Sequence, residues 1–182
     1  MAIRHRKPNR LPQWRYNSSR AYFVTINIHD GGPHLFGEVV NGRMVLNKYG
    51  EIVEWQWRWL GQQYGNWLSL DAFVVMPNHI HGIIKINNDR RFVGTTPVPM
   101  VGTTLGLSLQ KTQRRLPSRS LSKAICAFKT TSSKYIHQSG GADFQWQRSF
   151  HDRIVRDEHE LHVIRRYIAN NPRHWADNPN HR

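Results

Sequence analysis

Two histidines one residue apart, His79 and His81, are the sharpest chemical feature of the sequence. Residues 79–86 read as a strand, where side chains two apart point to the same face. Both imidazoles then leave one side, while Ile80, Gly82, Ile84 and Ile86 turn to the other, which reads as the core. Two rings side by side can hold one divalent cation. The chain has 11 histidines in 182 residues, so chance alone supplies roughly 0.7 such pairs and the spacing needs support from elsewhere.

That support lies near the C-terminus. Residues 158–170 read as a helix with Leu161, Ile164 and Ile168 as its buried stripe, and Tyr167 and Asn171 lie one turn apart on its flank. A tyrosine there could expose its hydroxyl, and Asn171 could lend a carbonyl oxygen to the same cation. The plain alternative is that Tyr167 is half-buried packing and Asn171 a helix C-cap before Pro172.

The elements that must position these groups follow from periodicity and turn chemistry. Residues 1–20 read as an irregular basic arm. Tyr22–Ile28 is a β-branched and aromatic strand, ended by Asp30-Gly31-Gly32-Pro33. Residues 35–46 hold two short apolar runs around Asn41-Gly42, a strong hairpin signal. Glu51–Tyr64 has helical periodicity, and 70–76 and 79–86 are strands joined through Pro77-Asn78. Residues 92–109 contain Val-Gly-Thr-Thr twice and read as a low-complexity, flexible insert. A second helix is expected from Ser120 to His137 and a short strand from Asp152 to Arg156. The last helix follows, with Asp157 as N-cap, Glu160 placed for a capping box and Pro172 as the stop. Setting the ribbon aside, the order is βαββαβ. The expected class is α+β, a ferredoxin-like split βαβ whose antiparallel sheet is backed by helices, with an inserted β-hairpin and an additional C-terminal helix. Residues 21–175 form the domain and 176–182 a tail.

Composition narrows the partners. Lys and Arg number 26 against 12 Asp and Glu, a formal charge of +14. Residues 1–20 carry six cations and no acid, and no acid occurs between Asp89 and Asp143. Such clusters favour a polyanion, because each neutralised phosphate releases counterions. Arg15, Lys129, Lys134, Arg165 and Arg166 are candidate contacts to a nucleic-acid backbone, with a solvated basic tail as the alternative for Arg15 and exposed helix charge for the other four. Trp14, Tyr16 and Trp146 could stack on unpaired bases or sit in the core. No apolar run approaches a membrane span, and the basic start lacks a signal-peptide core. The single Cys126 excludes a disulfide framework, so a reducing cytoplasm is the expected setting.

Three separated stretches carry a resemblance: Phe73-Val74-Val75-Met76-Pro77-Asn78-His79-Ile80-His81-Gly82-Ile83-Ile84, Trp146-Gln147-Arg148-Ser149-Phe150-His151-Asp152, and Ile164-Arg165-Arg166-Tyr167-Ile168-Ala169-Asn170-Asn171-Pro172. Together they resemble the IS200-like single-tyrosine transposases, and within them the REP-associated type. Arg10-Leu11-Pro12, Tyr22-Phe23-Val24-Thr25 and Leu35-Phe36-Gly37-Glu38 are similar to that branch too. The resemblance spans roughly residues 10–175; the 92–109 insert lies outside the family pattern.

The resemblance implies an HUH endonuclease acting on single-stranded DNA near imperfect hairpins, with a divalent metal, Mg²⁺ or Mn²⁺, and a tyrosine nucleophile. His79 and His81 match its histidine pair and Tyr167 its nucleophile. Asn171 stands where the classical insertion-sequence branch carries Gln and the REP type Asn. Cleavage would leave a 5′-phosphotyrosine and a free 3′-hydroxyl, allowing strand transfer without ATP. It implies a bacterial protein held at the nucleoid through DNA, and a monomer is favoured over a homodimer with active sites shared between chains. The competing expectation is a non-catalytic single-stranded DNA- or RNA-binding domain on the same fold, a decayed transposase. All three proposed metal ligands are neutral, so weak metal binding by the free protein is expected. Tyr135 is the rival nucleophile.

Overall fold

Alternation of apolar and polar residues makes one face of each central strand a core face. In the computed structural model, which describes residues 20–29, 34–87 and 120–176, that pattern produces strands β1 (Arg20–Asn27), β4 (Leu68–Met76), β5 (His79–Ile86) and β6 (His151–Ile154). They form one antiparallel sheet in the order β4-β5-β1-β6. The hairpin β2 (Gly37–Val40) and β3 (Arg43–Leu46) stands apart as a two-stranded ribbon. Helices α1 (Lys48–Gln63), α2 (Leu121–Gln138) and α3 (Glu158–Asn170) complete the expected ferredoxin-like α+β arrangement, and a 3-10 turn, Asn171–His174, follows α3.

The main core lies between the sheet and α1 and α2. Tyr22, Val24 and Ile26 of β1 and Ile80, Ile84 and Ile86 of β5 meet Trp57, Leu60, Ile125 and Phe128 there. Gly82 belongs to this face: a Cβ on it would lie 2.4 Å from the Trp57 ring, so only glycine lets the indole rest against the strand. The opposite face is covered by α3, where Leu161, Ile164 and Ile168 close over Ile83 and Val155. Burying such side chains contributes roughly 1.5–3 kcal/mol apiece. β5 is therefore enclosed on both sides, and the histidine face is not an open one.

Helix ends follow local chemistry. α1 begins three residues before the expected Glu51, because the Asn47 side chain accepts from the N–H groups of Tyr49 and Gly50. Asp157 caps α3 by accepting from the Glu160 N–H at 2.7 Å. Glu160 does not close the expected capping box on Asp157; its carboxylate accepts instead from the Arg156 N–H and pairs with Arg153. The β2–β3 turn places Asn41 and Gly42 at positive φ, 50° and 71°, as a tight hairpin requires. Its tip rests on the segment after α3, with the Gly42 Cβ direction 3.3 Å from Arg173 Cγ. β4 and β6 differ from the expected spans by one or two residues, and β4 has an irregularity between Leu70 and Phe73. The basic arm up to residue 19, the 92–109 insert and most of the tail lie outside the described residues.

Candidate functional site

β5 delivers His79 and His81 to the α3 face by its period of two, and burial fixes them there. His79 is fully buried and His81 is 4% exposed. Each ring is oriented by a partner at Nδ1. His79 Nδ1–H donates to Asn78 Oδ1 at 2.8 Å, and His81 Nδ1 lies 2.8 Å from the Thr25 hydroxyl on the neighbouring strand. The two Nε2 atoms face each other at hydrogen-bonding distance, 3.1 Å. Asn78 leaves His79 Nε2 a lone pair, whereas the Thr25 hydroxyl can accept from His81 Nδ1 or donate to it, and that choice decides whether His81 Nε2 carries a proton. Burial pushes His79 down from 6.5 to about 4. It pushes His81 down to about 3, with the charge of His79 adding to the effect. Both rings are held neutral, the form that ligates a cation.

α3 carries the other two groups to the same place. The Tyr167 hydroxyl lies 3.4 Å from His81 Nε2, although 86 residues separate them in sequence. Its ring stands edge-on to His81 and to Phe23, and Phe23 stacks on His81 with centroids 5.4 Å apart. The phenol is nonetheless 48% exposed, so it is fixed on one side and open on the other. Asn171 is buried, and its Oδ1 has no hydrogen-bond partner among the described residues. An orphaned acceptor of that kind costs about 1–3 kcal/mol. Trp175 packs on His79 from the far side.

Those observations test the fit of a metal. Two ring nitrogens 3.1 Å apart are bridged by one shared proton or by a cation in its place, and that separation suits adjacent ligands each about 2.1 Å from one ion. The paired imidazoles fit a divalent cation, and the unsatisfied Asn171 oxygen, on the cleft beside Tyr167, is a further donor of suitable chemistry. Two neutral imidazoles and an amide carry no negative charge, and among the described residues no third His, Cys, Asp or Glu joins them in a metal-holding group.

His79, His81 and Tyr167 are thus brought together and Asn171 shares a cleft with Tyr167, whereas the candidate DNA contacts are scattered. Arg166 is exposed and, with Val163, Asn170 and His174, borders a cleft of about 420 Å³ beside Tyr167 and Asn171. Arg165 is turned to the sheet, where it binds Asp71. Lys129 lies on α2, against the other side of the sheet, and donates to the carbonyls of Gln147 and Ser149; burial lowers it to about 8. Lys134 is exposed on that same helix, and so is Tyr135, which packs edge-on against Trp55 far from the histidines. Arg15, Trp14 and Tyr16 lie outside the described residues. Trp146 does not face unpaired bases: it is core, and its indole N–H donates to Ser132. Sequence reasoning missed Thr25, Phe23 and Trp175. The first two are visible only once β1 is registered against β5, and Trp175 carries no sequence signal.

No family model matches the chain. Its fold is that of the solved REP-associated tyrosine transposase bound to a REP hairpin, with a TM-score of 0.54 at 16% identity over 89% of this chain and 73% of that one. In sequence it is 32% identical, over 177 residues, to an uncharacterized protein of Haemophilus influenzae strain Rd, a match covering 95% of this chain and 91% of the other. Identity at that level along nearly the whole of both chains means that the protein belongs to the same family as this Haemophilus protein.

Proposed function

We propose that the protein is a metal-dependent single-stranded DNA endonuclease and strand transferase that cuts beside imperfect hairpins through a 5′-phosphotyrosine. One observation carries the reading. The hydroxyl of a half-exposed tyrosine lies 3.4 Å from His81 Nε2, in a buried, neutral histidine pair whose Nε2 atoms converge. The fold shared with a transposase that binds a REP hairpin supports the substrate class, as does the formal charge of +14.

A free tyrosine ionises near pH 10 and is a poor nucleophile at neutrality. A divalent cation, Mg²⁺ or Mn²⁺, held by His79, His81 and Asn171 would polarise the scissile phosphate and offset the charge that grows during attack. Tyr167 Oη forms the new bond to phosphorus, the bond to the 3′-oxygen breaks, and the phenolic proton leaves to solvent at the open edge of the ring. Phe23 limits the ring's freedom, which favours an attack-ready geometry. Asn78 accepts from His79 Nδ1 and so leaves its Nε2 to ligate, and Thr25, by accepting from His81 Nδ1, would do the same for His81. Arg166, at the rim of the cleft, is suited to a neighbouring backbone phosphate. The phosphotyrosine retains the free energy of the broken ester, so an incoming 3′-hydroxyl can displace Tyr167 and reseal DNA. One chain supplies the histidines and the tyrosine, and the reading requires no second copy.

The test is incubation with labelled single-stranded hairpin DNA and Mn²⁺, followed by a denaturing gel. Wild type should give a protein-linked product, Tyr167→Phe none, and His79→Ala should bind DNA without cutting it. Cleavage that survives Tyr167→Phe would instead mean a water-using phosphodiesterase. Binding without any cleavage by wild type would mean a binding domain.

A further inference from the structure

The register of the sheet places a third histidine beside the site. Thr25 of β1 pairs with His81 of β5 on one side and with His151 of β6 on the other. Residues directly opposite on antiparallel strands share a face, so His81, Thr25 and His151 form one transverse row on the face that carries Tyr167. Neighbouring strands are about 4.8 Å apart, which sets His151 roughly 10 Å from His81 along the row. Thr25 stands between them in the row, so a phosphodiester lying over Thr25 would have an imidazole on either side. His151 is exposed at the start of the edge strand. α3 leaves it uncovered, because the helix packs on β4, where Arg165 meets Asp71.

Tyr167 and His151 therefore flank the histidine pair from different directions. The phenol comes from α3, above His81 and Phe23, while the imidazole comes from the β6 edge beyond Thr25. An in-line displacement at phosphorus needs the nucleophile and the leaving oxygen on opposite sides of that atom. His174, another exposed histidine near the site, lines the cleft on Tyr167's own flank with Arg166 and Asn170. It stands on the side of attack.

Resting on the nuclease reading above, the geometry points to His151 as the general acid that protonates the departing 3′-oxygen. As the Tyr167 Oη–phosphorus bond forms and the phosphorus–O3′ bond breaks, the His151 imidazolium gives its proton to O3′, yielding the free 3′-hydroxyl and neutral imidazole. In resealing, the same neutral imidazole takes the proton of the attacking 3′-hydroxyl, and Tyr167 leaves to be reprotonated from solvent. No other reactant is required.

The test compares two versions of the hairpin oligonucleotide that wild type cuts: the ordinary one, and one with sulfur in place of the bridging 3′-oxygen at the scissile position. A thiolate leaves without a proton. His151→Ala and His151→Gln should slow adduct formation on the oxygen substrate by about 100-fold, yet stay within about threefold of wild type on the sulfur substrate. His174→Ala should show no such substrate-dependent rescue. Equal slowing of the His151 variants on both substrates, or no slowing on oxygen, would overturn the assignment while leaving the nuclease reading intact. Failure of wild type to form an adduct with either substrate would overturn both.

Discussion

Arg165 on α3 grips Asp71 on β4 with two hydrogen bonds, Nε to Oδ1 and Nη2 to Oδ2, each 2.7 Å. Lys85 of β5 adds a third cationic contact to the same carboxylate at 2.7 Å. The guanidinium holds Asp71 well below the usual carboxylate range, overcoming a smaller opposing effect of burial, with Lys85 assisting. Two residues further along the helix lies Tyr167, so the clamp sets where the phenol sits. Asp71→Asn should slow adduct formation about 10-fold with DNA affinity nearly unchanged, and should speed amide exchange in α3 but not in β1. Unaltered exchange in α3 would dismiss the clamp as a positioning device. A depressed carboxyl contributes its stability above its unfolded pKa of about 3.9 and loses it as pH falls below that.

The buried histidines give a separate acid sensitivity at higher pH. Their folded pKa values, about 4 for His79 and about 3 for His81, lie below the ordinary 6.5. Unfolded chains therefore bind more protons than folded ones between pH 6.5 and about 4. Stability is full above the upper limit and drains as pH falls toward the lower, by roughly 3 kcal/mol for His79 alone. Thermal melts at pH 7.5, 6 and 4.5 should show Tm falling through this window. The double variant His79→Gln, His81→Gln should flatten the decline, and an equally steep decline in it would place the acid sensitivity elsewhere.

Under the proposed function, neutral donors call for a cation held jointly by protein and substrate. Calorimetry with Mn²⁺ should show weak binding to the Tyr167→Phe protein, tightening at least 10-fold in the presence of the hairpin oligonucleotide, within the usual range for coupled sites. Asn171→Asp supplies the missing negative charge and should tighten Mn²⁺ binding without DNA. Equal affinity with and without oligonucleotide would refute the coupling.

Gly82 tests the layer beneath the site. Its Cβ direction ends 2.4 Å from Trp57 Cζ2, so Gly82→Ala must displace either the indole or the strand that bears His81. A loss of roughly 1–3 kcal/mol is expected, the range for overpacked cores, read as a lower urea midpoint with an unchanged slope. No shift in the midpoint would mean that the indole moves aside freely.

The order of elements, the face of the histidine pair and the flank of α3 were all legible in the sequence, because periods of 2 and 3.6 are properties of the chain itself. The hairpin was legible from Asn41-Gly42. The burial of the histidines was not, since Ile83 gives no sign of which helix will cover it. Nor could periodicity tell Arg165 from Arg166: adjacent positions on a helix differ by 100°, and only the position of Asp71 decides which arginine turns inward. Lys129 shows the same limit, because its carbonyl partners lie on a loop 18 to 20 residues further along the chain.

The turn of the β2–β3 ribbon leans on Arg173, two residues past the buried Asn171. A decoration outside the four-stranded sheet thus serves as a buttress for the segment that seats the amide. Lengthening or bulking that turn would be felt as a shift in the amide oxygen, with Tyr167 and both histidines chemically untouched. The ribbon offers a handle by which activity could be tuned without editing a single reacting group.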